Sequence, residues 1–72
     1  MLNRKEGENM PLIQVSIMEG RPPEKIEALI ENITATVSET LNSPPENIRI
    51  LVTEYPKTHW GIGGTSAKKL GR

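Results

Sequence analysis

The hydrophobic period of this chain changes twice, from two residues to about 3.6 and back to two, and proline marks each change. Residues 12–18 read Leu-Ile-Gln-Val-Ser-Ile-Met, with Ile13, Val15 and Ile17 on one side and Gln14 and Ser16 on the other. This alternation, rich in β-branched residues, predicts a half-buried strand that ends in a turn at Glu19-Gly20. After Arg21-Pro22-Pro23-Glu24, the residues Ile26, Leu29, Ile30, Ile33, Val37 and Leu41 recur at three- and four-residue steps as one stripe of a helix. Proline suits the first turn, where its missing N–H has no partner to lose, and Glu24 and Glu27 suit the positive end of the helix dipole. Taken alone, Ile33-Thr34-Ala35-Thr36-Val37-Ser38 also alternates like a strand, and Thr and Val are mediocre helix formers. The longer period begun at Ile26 decides for a helix held by packing rather than propensity. Asn42-Ser43-Pro44-Pro45 stops it, because a residue before proline is driven out of the α region. Glu46-Asn47 then completes one tight turn. Residues 48–54 form a second strand, with Ile48, Ile50 and Val52 facing one way and Arg49, Leu51 and Thr53 the other. Strand, helix, strand is an α/β fold of one β-α-β unit, with parallel strands and a right-handed crossover.

Such a unit is a poor sheet by itself. The 72 residues include no Phe, one Trp and one Tyr, and 35% are hydrophobic, so the core is thin. A monomer of this size buries only about 60% of its unfolded surface. With no Cys for a disulfide and no cluster of metal ligands in the sequence, assembly is the remaining support. The strand edges are therefore expected to pair with a second copy of the chain. Nine basic and nine acidic residues balance to zero, which argues against a nucleic-acid partner. No apolar run approaches the ~20 residues of a membrane span, and the charged first ten residues do not resemble a signal peptide, so the expected location is the cytoplasm.

Towards the end, Tyr55-Pro56-Lys57-Thr58 leaves the second strand and His59-Trp60 precedes Gly61-Ile62-Gly63-Gly64. No strand precedes these glycines as a phosphate loop requires, and no convincing helix follows, so they predict a short hairpin or turn that lays Trp60 against a neighbour. Residues 65–72 are basic and carry no further readable pattern. His59 lacks a carboxylate or Cys at useful spacing and is expected at the surface. Ser16 and Ser38 lack the base and orienting group that make a nucleophile. Asn32-Ile33-Thr34 matches a glycosylation sequon by chance, in a chain with no export signal.

The beginning of the chain holds the sharpest chemical question. Residues 1–9 are polar and without periodicity, and Met10-Pro11 then opens the first strand. Lys5-Glu6-Gly7-Glu8 can be encoded AAA-GAA-GGA-GAA, which contains the core of a bacterial ribosome-binding site a few bases before the Met10 codon. Methionine aminopeptidase removes an initiator Met that precedes proline. A protein begun at Met10 would thus start with Pro11, whose ring nitrogen would be a basic secondary amine. In a chain begun at Met1, the same nitrogen is an amide without basicity.

Met10-Pro11 heading a strand, Glu19-Gly20-Arg21 ending it, Ile48-Arg49 opening the second, and Trp60-Gly61-Ile62-Gly63-Gly64 together resemble the 4-oxalocrotonate tautomerase family. The resemblance spans residues 11–64, so residues 1–10 are expected to be a non-native or disordered extension and residues 11–72 the tautomerase-like domain. It implies a cofactor-independent isomerase that converts a 2-hydroxy-dienoate such as 2-hydroxymuconate to its 2-oxo-enoate. Carried over residue by residue, Pro11 is the amino-terminal base, Arg21 and Arg49 grip a dicarboxylate or 2-oxo acid, and Trp60 lines the pocket where some members have Phe. Arg49 also belongs to the catalytic set, because it would stabilise charge at the reacting end. The resemblance further implies a homohexamer built as a trimer of dimers, with no metal or organic cofactor. The physics agrees: a free α-amino group titrates near ~8, and burial beside Trp60 with two cationic neighbours would lower its affinity for a proton towards the range of a general base.

Two alternatives stay open at this level. Relatives that begin with proline hydrate haloacrylates or decarboxylate an oxo acid with a cationic proline, generally with an added acidic residue, for which Glu19 and Glu54 are the candidates. If Pro11 stays internal, the chain is instead a non-catalytic oligomeric module.

Overall fold

The computed structural model describes residues 10–72. Strand β1 is Leu12–Met18, helix α1 is Pro23–Leu41, and strand β2 is Arg49–Tyr55. A 3-10 turn, Pro45–Asn47, joins α1 to β2. A second 3-10 turn, Lys57–His59, leads to the hairpin strands β3, Gly61–Ile62, and β4, Thr65–Ser66, and the chain closes on the one-turn helix α2, Ala67–Leu70.

Strands β1 and β2 pair in parallel, with Leu12 opposite Arg49 and Met18 opposite Tyr55. The pairing runs past both ends: the Arg49 N–H donates to the Pro11 carbonyl at 3.0 Å, and the Glu19 N–H to the Tyr55 carbonyl at 2.8 Å. Both alternations take the faces expected of them. Ile13, Val15 and Ile17 with Ile48, Ile50 and Val52 are wholly or partly covered, whereas Leu12, Gln14, Ser16, Arg49, Leu51 and Thr53 are exposed. Helix α1 contacts β2 and covers that first face with Ile26, Leu29, Ile30, Ile33 and Val37, all half-buried.

Leu41, placed on the same stripe by its spacing, is instead exposed. A helix of 19 residues is about 28 Å long and a strand of seven about 23 Å, so the last turn of α1 overhangs the sheet. That turn closes on itself. Asn42 adopts the left-handed conformation at φ 59°, the Ser43 N–H donates to the Ser38 carbonyl at 3.1 Å, and the Ser38 hydroxyl donates to the Ser43 carbonyl at 2.6 Å. Ser38 is thus a clasp, with Ser43 buried beneath it.

Two further boundaries differ from the sequence expectation. Strand β2 begins at Arg49, because Ile48 is taken up by the 3-10 turn, its N–H donating to the Pro45 carbonyl at 3.0 Å. The glycines are followed by a helix after all. The Ser66 hydroxyl accepts the Lys69 N–H at 3.2 Å as the N-cap, and Gly71, at φ 77°, closes the other end. Ser before and Gly after this short segment were the available signals. The expected hairpin is present: Ile62 pairs with Thr65 across Gly63 and Gly64, whose φ of 60° and 90° match the twist of a two-residue type I′ turn.

The core is as thin as composition implies. Among the described residues, Ile48 and Ala67 are the buried hydrophobic ones, while Leu12 and Leu51 on the open sheet face stay 56% and 50% exposed. No helix among the described residues is long and apolar enough to cross a membrane. The expectation of a non-native or disordered extension falls on residues outside the described ones, apart from Met10, which is exposed.

Candidate active site

Pro11 and Arg49 sit side by side because of register. Leu12 faces Arg49, so Pro11 lies one step before the ladder begins, and its carbonyl accepts the Arg49 N–H. Pro11 is half-buried. The Arg49 side chain is exposed, and its Nη1 donates to the Glu46 carbonyl at 2.9 Å. That carbonyl is available because the 3-10 turn spends its own bonds on Pro44 and Pro45. A guanidinium has five N–H donors, so one bond anchors Arg49 and leaves most of the fork for an anion.

Arg21 and Trp60 occupy the other end of the same sheet. Arg21 follows the turn after β1, and its Nη1 donates to the Met18 carbonyl at 3.0 Å, which folds the side chain back over the strand end. Trp60 leaves the 3-10 turn after β2. Its ring meets that of Tyr55 edge-on, with centroids 6.2 Å apart at 62°, and its carbonyl accepts the Ala67 N–H at 2.7 Å. Tyr55 carried no sequence signal for this role beyond being the only other aromatic residue. Glu19 and Glu54, the candidate acids, also lie at this end. His59 is exposed, with the Thr58 hydroxyl 3.4 Å from its Nδ1.

The four residues singled out from sequence therefore form two pairs, not one cluster. Seven paired residues separate the pairs along the strands, which is about 20 Å. One chain thus carries two separate pairs, Pro11 with Arg49 at one end of the sheet and Arg21 with Trp60 at the other. Beside the second lies an open cleft of about 440 Å³ lined by Glu19, Gly20, Pro56, Lys57, Thr58 and Lys68. No group of three or more His, Cys, Asp or Glu among the described residues could hold a metal ion.

Comparison with known proteins shows what the chain as a whole resembles. The family model described as tautomerase enzyme matches residues 11–70, from Pro11 almost to the end of the chain. The 2-hydroxymuconate tautomerase of Stutzerimonas stutzeri is 46% identical over 63 residues, 88% of this chain and 100% of that protein. Among solved structures, one of the 4-oxalocrotonate tautomerase isozymes from Methylibium petroleiphilum superposes with a TM-score of 0.82 at 45% identity, covering 86% of this chain and 100% of that one. A heterohexamer 4-oxalocrotonate tautomerase from Chloroflexus aurantiacus J-10-fl gives a TM-score of 0.80 at 31% identity, covering 85% of this chain and 98% of its own.

Proposed function

The chain belongs to the tautomerase enzyme family, and from that premise we propose that it converts a 2-hydroxy-dienoate such as 2-hydroxymuconate to its 2-oxo-enoate, with the free amine of Pro11 as the general base. The observation that carries this reading is the pairing of Pro11 with Arg49 at the head of the sheet. The backbone pairing brings Pro11 to the same end of the sheet as Arg49, whose guanidinium can hold an anion. The amine takes the enol proton, the electron pair moves along the diene, and the resulting ammonium returns the proton to a distant carbon, which regenerates the free amine. Arg49 offsets the negative charge that gathers on the oxygens as this happens. Arg21 holds the far carboxylate, and Trp60 supplies an apolar wall.

Because Arg21 and Trp60 lie about 20 Å from Pro11 within one chain, a complete site forms when the far end of one copy meets the head of another. The exposed Leu12 and Leu51 favour that assembly, since each, already about half covered, gains about 1 kcal/mol more when fully covered. A homohexamer accommodates this sharing, and the heterohexamer relative is an assembly of that size.

The mature protein in this proposal begins at Pro11. The family match starts there, and the 63 residues that span the whole S. stutzeri relative equal in number those from Met10 to Arg72. The test compares the 72-residue chain with one begun at Met10, each N-terminus established by mass and each assayed on 2-hydroxymuconate. The shorter chain, after Met removal, turns over. The longer one folds but lacks proline-dependent activity, because its Pro11 nitrogen is an amide. Equal rates from an intact 72-residue chain would assign the base to another residue.

A further inference from the structure

Charge is distributed unevenly along this neutral chain. No acidic residue follows Glu54, whereas Lys57, Lys68, Lys69 and Arg72 all do. Folding gathers two of these cations at one place. Lys57 comes from the 3-10 turn after β2 and Lys68 from α2, and both line the cleft at the far end of the sheet. The two elements are held together by packing, with Ala67 buried between them and its N–H donating to the Trp60 carbonyl. The cleft adjoins the pair Arg21 and Trp60 on both sides, because Gly20 in its wall precedes Arg21 and Thr58 lies two residues before Trp60. Glu19 is the one carboxylate in the lining, so two cations face one anion, with Arg21 beyond.

We propose that Lys57 and Lys68 form an anion-collecting rim that draws a dicarboxylate into the half-site of Arg21 and Trp60, and so sets a preference for diacids over monoacids. This rests on the reading of the site as one for a dicarboxylate. Lysine is well matched to collecting an anion. Its ammonium is a mobile point charge on a flexible stem, which attracts without imposing a pose, whereas the arginine fork fixes one. An excess of one sign of charge in a cleft raises the encounter rate of an oppositely charged ligand, by up to ~10–10³ where a single sign lines it. The electrostatic term scales with ligand charge, so a dianion gains the square of the factor that a monoanion gains. Salt suppresses the effect, since the screening length falls from ~10 Å at 0.1 M to ~3 Å at 1 M. The lysines act on arrival and orientation, not on the reacting atoms, and are positioning residues.

Trp60 is the only tryptophan and so reports binding in the assembled, processed protein. The experiment measures association of adipate, a saturated diacid, and of hexanoate, its monoacid counterpart, by stopped-flow fluorescence, with the pair Lys57→Gln and Lys68→Gln set against the unaltered protein. At low ionic strength the double variant is expected to capture adipate about tenfold more slowly and hexanoate about threefold more slowly. At ~0.5 M salt the two proteins converge. With 2-hydroxymuconate, KM rises while kcat holds, and Lys57→Arg with Lys68→Arg restores both association rates. Unchanged adipate association, equal loss for the two acids, or a loss that persists at high salt would each overturn the proposal. The binding measurements stand apart from turnover: lysine-dependent capture of adipate by a protein that does not turn over 2-hydroxymuconate sinks the assigned substrate and upholds the rim.

Discussion

At the scale of single residues, the roles proposed for Pro11, Arg49 and Arg21 separate by where each residue stands. In the processed protein, Pro11→Ala leaves a primary amine in place of a ring amine, with different basicity and a different approach to the substrate. The expected result is a loss in kcat of about 10²-fold, the lower range for a general base, with unchanged circular dichroism. Arg49 stands next to Pro11 across the ladder and is anchored on Glu46. Arg49→Ala therefore removes charge stabilisation at the reacting end and lowers kcat and kcat/KM together, by roughly 10²–10³. Arg21 lies at the opposite end of the strands. Arg21→Ala raises KM for a diacid and leaves a monoacid much less affected. Equal losses on both substrates would contradict its assignment to the distal carboxylate.

At the scale of elements, the hairpin is the piece on which Trp60 depends. Gly63 and Gly64 both need positive φ, which a side chain adopts only at a cost of about 1–2 kcal/mol. Nothing lies within 4 Å of a methyl group added at Gly63, so the penalty is conformational and not steric crowding. Gly63→Val should therefore lower the melting temperature modestly. It should also loosen Trp60, read as a shift in its fluorescence, while the far-ultraviolet dichroism of the β-α-β unit persists. A variant that instead lost its α1 signal would show that the hairpin and the main unit fold as one. The α1 end works differently: Ser38 and Ser43 satisfy one another there, which lets the helix overhang the sheet without leaving polar groups stranded.

At the scale of the whole molecule, one chain has a two-stranded parallel sheet with helix on one face and little on the other. Parallel sheets are ordinarily covered on both faces, so the open face with Leu12, Leu51 and Tyr55 calls for a partner surface. Folding linked to assembly makes stability depend on protein concentration. The melting temperature should rise across a hundredfold concentration series, and Leu51→Lys should shift sedimentation to smaller species and abolish that dependence. A folded monomer at micromolar concentration, stable regardless of dilution, would count against shared half-sites.

The pattern of the chain by itself determined that it contains strand, helix and strand in that order, followed by a hairpin or turn. A period of two or 3.6 is a local property, and Pro22-Pro23, Pro44-Pro45 and Gly63-Gly64 punctuate it. Pro11, Arg21, Arg49 and Trp60 stood out as well, though only the resemblance to the 4-oxalocrotonate tautomerase family raised them above ordinary surface and interface residues. The one-turn helix α2 went unread, because four residues are too few to establish a period and only its caps betray it. Which residues meet was decided by tertiary structure alone. The parallel register sets Pro11 beside Arg49, 38 positions later in sequence, and sends Arg21 and Trp60 to the far end. Packing of α2 on the preceding turn brings Lys68 to the cleft of Lys57. Spacing along a chain does not report distance across a sheet, because a strand carries its two ends about 20 Å apart and the return through a helix resets the count.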